Sequence, residues 1–296
     1  MSILFKPPPA PSSDFPSDVL KWMKECAKAK MALKLMKCHK YFQHEKFQYF
    51  VVEDVSYDEN EDEWTLDMSN DKRHVYEGLQ NIPKMLWITD SIHLYGSISN
   101  LTSVIIPKIV VCDITHLHLS SQIIVFDDFK FLTPFVEYFY FRNTTIKYQN
   151  GDTVFLDQLF ECLPNVKHIR LWSGTPFLFS ENFVNSIEKI NLMKLKFVIL
   201  YNIAYSDIEK FSKFMEKNRH IYYDLDVADA IISAEGILAL EKYNQGIIDN
   251  GITEFPPPLI KFKQQTKKQG DTLERLRYQY MKEKSIEKQI SYNFLT

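Results

Sequence analysis

His116 and His118 stand two residues apart in the stretch CDITHLHLS, directly after Cys112 and Asp113. Imidazole, thiolate and carboxylate are the ligands zinc prefers, and alternate residues of an extended segment share a face. Zinc needs three or four convergent ligands, however, and this stretch offers two on one face, so no metal is expected. Cys38-His39 sets a thiol beside an imidazole, but neighbours on a helix point in different directions, whereas a nucleophile and its base must meet. Core packing is the expectation there. The run DENEDE at 58–63 has the charge of a calcium loop without its glycine or its spaced terminal glutamate, and reads as a solvated turn. Glycine is scarce, 8 in 296, with none before Gly78. A phosphate-cradling loop needs glycine so that backbone N–H groups can approach the anion. Catalysis, cofactors and nucleotide chemistry are therefore not expected, and surfaces are left to carry function.

A chain of 296 residues, 45% of them hydrophobic, can bury a sizeable core. No window approaches the roughly 18 consecutive apolar residues of a membrane span, and the apolar run in MSILFKPPPAPSSDF is too short for a secretory signal. A cytoplasmic or nuclear protein, not a secreted one, is expected, with no membrane partner. The four cysteines, Cys26, Cys38, Cys112 and Cys162, are far apart and read as reduced thiols. Net charge is −3, but residues 259–290 hold nine Lys or Arg against four Asp or Glu, so the body is acidic and the tail basic.

The elements that would position a surface can be read in order. Residues 1–14, with four prolines, read as a disordered tail. From Pro16 to Phe42 the pattern is helical, with Val19, Leu20, Trp22 and Met23 beginning an apolar face. Residues 47–57 and 63–68 look extended, either side of the acidic turn. From about residue 89 a pattern L-x-x-L-x-L recurs at Ile114/Leu117/Leu119, Val136/Phe139/Phe141, Val166/Ile169/Leu171 and Leu195/Val198/Leu200, with degenerate outer copies ending at Leu94 and Leu225. The spacing is that of leucine-rich repeats. Helical patterns lie between, at Phe155–Leu163, Phe183–Ile190 and Ile208–Met215. The asparagine or cysteine usual three residues after the last anchor is missing; Asn143 and Asn202 come one place early.

The segment FPSDVLKWMKECAKAKMALKLMKCHKYF, 15–42, resembles an F-box without a gap. Phe15-Pro16 takes the Leu-Pro position, Asp18-Val19-Leu20 the next, Leu33 and Leu35 the leucines of the second helix, and Lys40-Tyr41-Phe42 the closing segment. Together with the repeats the chain resembles the divergent F-box-like proteins expanded in nematodes. The resemblance implies an α/β protein: a helical F-box-like module (15–50), connecting strands and acidic turn (51–88), an irregular leucine-rich-repeat-like solenoid (89–232), and a C-terminal capping or basic helical tail (233–296). It further implies a substrate-recognition adaptor without enzymatic activity. Phe15, Pro16, Val19, Leu20, Leu33, Leu35 and Phe42 would dock on the small adaptor subunit of a cullin-RING ubiquitin ligase. A protein-interaction scaffold with a degenerate F-box is the alternative.

Between anchors, alternate strand residues face the open side. His116, His118, Tyr138, Tyr140, Arg142, His168, Arg170, Trp172 and Tyr201 would form a target-binding face, with Tyr and Trp and Arg the residue types of binding hot spots. The competing expectation is that the C-terminal segment folds over this face, or that the aromatics stabilise cross-strand pairs. The helix expected at 272–290 would place Leu273, Leu276 and Tyr280 on one side and Arg277 elsewhere. A capping role is preferred for it over binding nucleic acid or anionic lipid.

Overall fold

The computed structural model describes residues 16–26, 29–38, 42, 49–68, 72–173, 178–188, 190, 192–228 and 232–284. Phe15, the proline-rich start, His39 and the residues after 284 lie outside the described residues. Helices α1 (Ser17–Cys26) and α2 (Ala29–Cys38) lead into strands β1 (Tyr49–Asp58), β2 (Glu63–Asp67), β3 (Arg73–Tyr76) and β4 (Met85–Leu94). Next come α3 (Leu101–Ile105), β5 (Ile109–Cys112), β6 (His116–Ser120), β7 (Ile123–Val125), α4 (Phe126–Leu132), β8 (Tyr138–Arg142), β9 (Thr145–Lys147), α5 (Leu156–Glu161), β10 (His168–Trp172) and α6 (Phe183–Glu188). The chain continues with β11 (Phe197–Ile203), α7 (Tyr205–Lys217), β12 (Tyr222–Val227), α8 (Ala234–Asn250), β13 (Leu259–Lys261) and α9 (Lys267–Glu283).

One mixed sheet organises the α/β fold, in the order β13-β12-β11-β10-β8-β6-β4-β1-β2-β3, with β5 beside the first half of β4. From β1 through β4 to β13 the pairs are parallel; β1-β2-β3 is an antiparallel meander. The acidic run 58–63 makes the β1-β2 turn, where Tyr57 Oη donates to Asp62 at 2.7 Å and Glu59 accepts from the backbone of Ser97 at 2.9 Å. The sheet thus extends past both ends of the expected 89–232 repeat region, because β1 pairs with β4 and β13 with β12.

The repeating anchors explain the layering. Leu117 and Leu119, Phe139 and Phe141, Ile169 and Leu171, Val198 and Leu200, and Tyr223 and Leu225 are all buried toward the helices. Burying a side chain of this size contributes about 1.5–3 kcal/mol. Against them pack Phe129 of α4, Phe160 of α5, Phe183 of α6, and Phe211 and Phe214 of α7, the last two meeting Tyr223 edge-on at 5.9 Å. Leaving the strands requires a sharp turn. Gly96, Ser121, Asn143 and Asn202, each two residues after a last anchor, take positive φ of 137°, 59°, 48° and 72°. Asparagine tolerates this left-handed region better than most residues, so Asn143 and Asn202 do their work one place before the expected position.

Helices α1 and α2 lie on the other side of the sheet. Leu20 and Phe42 are buried with Tyr49 and Trp87, and Met23 and Leu35 pack around them. Since Phe50, Val52, Leu86 and Ile88 belong to the main core, alternation puts Tyr49 and Trp87 on the opposite face. A polar clamp fastens α2: Asp113 accepts from Trp87 Nε1 at 3.1 Å and pairs with Lys37 at 3.0 Å.

At the far end, α9 corrects one expectation. Its buried stripe is Leu273, Arg277 and Tyr280, at i, i+4 and i+7. Arg277, expected among the solvated cations, donates through Nε to Pro257 O and through Nη2 to Tyr223 O, both at 2.6 Å. Burial pushes its pKa down to about 10, against the raising influence of Asp224. Leaving both carbonyls without a donor costs about 1–3 kcal/mol each. Arg277→Ala is therefore expected to lower stability by about 2–4 kcal/mol in urea unfolding. Arg277→Lys is expected to restore only part, since a single ammonium cannot reproduce the fork.

Candidate functional site

The nine residues expected on the open face do share it, because every pair from β6 to β12 is parallel and in register. His116, Tyr138, His168, Phe197 and Tyr222 stand directly beside one another on successive strands. Their rings stack in a continuous column with centroid separations of 4.5, 4.7, 4.6 and 4.7 Å and interplanar angles from 6° to 21°. A second row runs His93, His118, Tyr140, Arg170, Ile199 and Asp224, and a third runs Ser120, Arg142, Trp172, Tyr201 and Asp226. Tyr95 joins the rows at the β4 end, its hydroxyl 3.0 Å from His118 Nδ1.

The arginines are seated on rings. Arg142 lies 4.4 Å over Trp172, and Arg170 lies 5.3 Å from the ring centre of Tyr140 and 5.7 Å from that of Tyr201. Such contacts contribute about 0.5–1 kcal/mol at exposed sites and more when desolvated. Trp172 remains 42% exposed and Tyr95 39%, so the face presents rings as well as cations. A depression of about 300 Å³ opens between Tyr95, His118, Tyr140 and Arg170.

Part of the shared face is covered. Phe197 and Tyr222 are buried with Tyr280 of α9, which meets Tyr222 edge-on at 6.0 Å, and Ile199 is buried beside them. The competing expectation, a C-terminal segment folded over the face, holds at the β11-β12 end alone. From β4 to β10 the rows are open. Burying Tyr280 was legible only as a stripe at helical spacing; Arg277 in the same stripe broke the apolar pattern and hid it.

The N-terminal docking residues divide. Pro16 and Val19 are exposed, as are Trp22 and Met31. Leu20 and Phe42, expected to touch a partner, are buried against the sheet with Leu35 packed around them, because Tyr49 and Trp87 offer apolar surface there. The side chains of Phe15 and Leu33 lie outside the described residues. Asp113 stands near His116 and His118 in sequence, but its carboxylate faces Trp87 and Lys37, a clamp that residue spacing does not signal. Among the described residues no three His, Cys, Asp or Glu side chains converge as metal ligands. Burial pushes the Cys112 thiol up to about 12 and Cys162 up to about 11, which leaves both poor nucleophiles. A larger cavity of about 720 Å³, between α7, α8 and Pro256–Pro258, is lined by Tyr223, Tyr243, Ile247 and Phe255 with charges of both signs, Glu216, Arg219 and Lys242.

The chain matches no family model, no curated protein and no solved structure.

Two imidazoles report on the integrity of the face. Burial, with smaller contributions from His93 and His116, drives His118 down to about 4. Burial, then Lys196 and Lys167, drives His168 to about 4. Their ordinary value is 6.5, so between pH 6.5 and 4 the unfolded chain takes up protons that the folded chain refuses. Their contribution to stability is complete above pH 6.5 and declines as pH falls to 4. His168→Phe keeps a stacked ring and removes one titration. Its melting temperature is expected to fall less than that of wild type between pH 7 and pH 4.5, as followed by thermal melts in matched buffers.

Proposed function

We propose that the protein is a substrate-recognition adaptor that performs no bond chemistry. In this reading the residues between β4 and β10 on the open face bind a target protein, and α1-α2 dock on the small adaptor subunit of a cullin-RING ubiquitin ligase. The observation that carries the binding role is the uncovered surface of Tyr95, Tyr140, Arg142, Arg170 and Trp172, framed by α9 at one end and left without a covering segment among the described residues. Contiguous exposed aromatics and arginines are a surface that calls for a partner.

The ligase role rests on the F-box resemblance of 15–42 and on the exposed apolar side chains Val19, Trp22 and Met31, which α1 and α2 turn away from the sheet. Strand-and-helix units stacked in sequence order support a short, irregular leucine-rich-repeat-like solenoid. Held between ligase and target, such a protein works by proximity, raising the effective concentration of target lysines at the conjugating enzyme. The second reading is an interaction scaffold whose degenerate F-box engages no ligase. It is favoured by the burial of Leu20 and Phe42, two expected docking residues.

Wild type is expected to co-purify with the purified adaptor subunit, and Val19→Asp with Trp22→Asp to lose it while melting normally. Absence of the adaptor from wild type leaves the scaffold reading. For the open face, Trp172→Ala is expected to weaken capture of the target, identified by affinity purification and mass spectrometry, roughly tenfold or more, as for a hot-spot residue. Its melting temperature should change little, because the indole is already exposed.

A further inference from the structure

Between β6 and β11 the open face carries two guanidinium groups and no carboxylate; Asp224 and Asp226 stand in the same rows farther out, on β12. Among the facing positions of β6, β8, β10 and β11, the side chains with fixed charge are Arg142 and Arg170. Nearby acids are engaged elsewhere: Glu137 pairs with Lys167 at 2.5 Å, Asp90 accepts from Thr115 Oγ1 at 2.6 Å, and Asp224 lies 3.7 Å from Lys261. Among the described residues, neither arginine forms an ion pair, and the Nε of Arg170 is buried without an acceptor. Each guanidinium is instead held over rings, at Trp172 for Arg142 and at Tyr140 and Tyr201 for Arg170. An arginine fixed in this way keeps its charge and its outward donors, and loses less freedom when an anion arrives.

Register sets the spacing. Arg142 stands opposite Trp172 and Arg170 opposite Tyr140 on adjacent strands. Strands about 4.8 Å apart with a rise of about 3.3 Å per residue place the two Cα atoms roughly 8 Å apart on the diagonal. In an extended peptide, side chains at i and i+2 share a face and leave the backbone roughly 6.6 Å apart. The spans match closely enough for one carboxylate to reach each guanidinium through flexible side chains, and a carboxylate can take the fork in bidentate fashion.

We propose that Arg142 and Arg170 form a two-point site for an extended acidic segment of a partner protein, with Asp or Glu at alternate positions. The assignment rests on reading this face as the partner surface, and it gives that surface a ligand chemistry. Nucleic acid fits less well: its affinity comes from many phosphate neutralisations, whereas this face has two fixed cations on a chain of net charge −3.

Fluorescence anisotropy on the full chain tests this with two labelled nine-residue peptides rich in threonine. One carries two glutamates separated by a single threonine; the other carries them adjacent. A nine-nucleotide single strand is the third probe. The separated peptide is expected to bind several-fold more tightly than the adjacent one, and Arg142→Met with Arg170→Met to reduce its affinity roughly tenfold or more at unchanged melting temperature. No binding by wild type, equal binding of the two peptides, full affinity in the double variant, or tighter binding of the oligonucleotide would each overturn the assignment. Should the double variant melt early, Arg142→Met alone decides, since that side chain is exposed; unchanged affinity sinks the proposal. Target capture separates the two readings. If Trp172→Ala abolishes it and the arginine variants do not, the face remains a partner surface and the acidic ligand falls; if neither affects it, both fall.

Discussion

Strand register is the constraint on which the rest of the molecule depends. In a parallel sheet without offset, whatever stands at one position of a strand stands directly beside its counterpart on the next, at the strand spacing of about 4.8 Å. That distance is close to the stacking distance of aromatic rings, so five strands with a ring at the same position produce a column whether or not a ligand is present. The same rule seats Arg142 beside Trp172 and Arg170 beside Tyr140. One geometric fact therefore generates the hydrophobic layering on the helix side and the column of rings with its seated arginines on the other.

The two faces respond differently to this constraint. Toward the helices, branched and aromatic anchors interlock with Phe129, Phe160, Phe183, Phe211 and Phe214, and tolerate little change in volume. On the opposite face, α1-α2 and α9 cover the two ends and leave the middle open. Neither cover is purely apolar. The Asp113–Lys37–Trp87 clamp holds one and Arg277 the other, so both depend on polar groups that must find their partners.

Much of this was legible in the amino-acid order. The recurrence of anchors located β6, β8, β10 and β11, and alternation assigned His116 through Tyr201 to a shared face. Apolar spacing located α5, α6 and α7. What the amino-acid order did not reveal had physical reasons. Leu20 and Phe42 matched a docking motif, but a motif does not reveal that Tyr49 and Trp87 lie across the chain to bury them. Arg277 read as a solvated cation because its acceptors, Pro257 O and Tyr223 O, are backbone groups that composition cannot show. The three-residue strand β13 and its junction with β12 lacked any periodicity long enough to register, and so the sheet seemed to end early.

An open stack of parallel strands is, in principle, a filament waiting for another unit. Each rung here offers the next the same row of hydrogen-bonding groups and the same ring, which is the geometry of fibrous assemblies. At the column's last parallel member, Tyr222, Tyr280 arrives edge-on and ends the repetition by breaking the plane. At the other end, Ser91 takes the ring's place and is engaged by Asp54. The sheet's outermost strands are three and four residues long. A tyrosine turned on edge thus does more than cover a face: it ends the column of rings one strand before the sheet itself ends at β13.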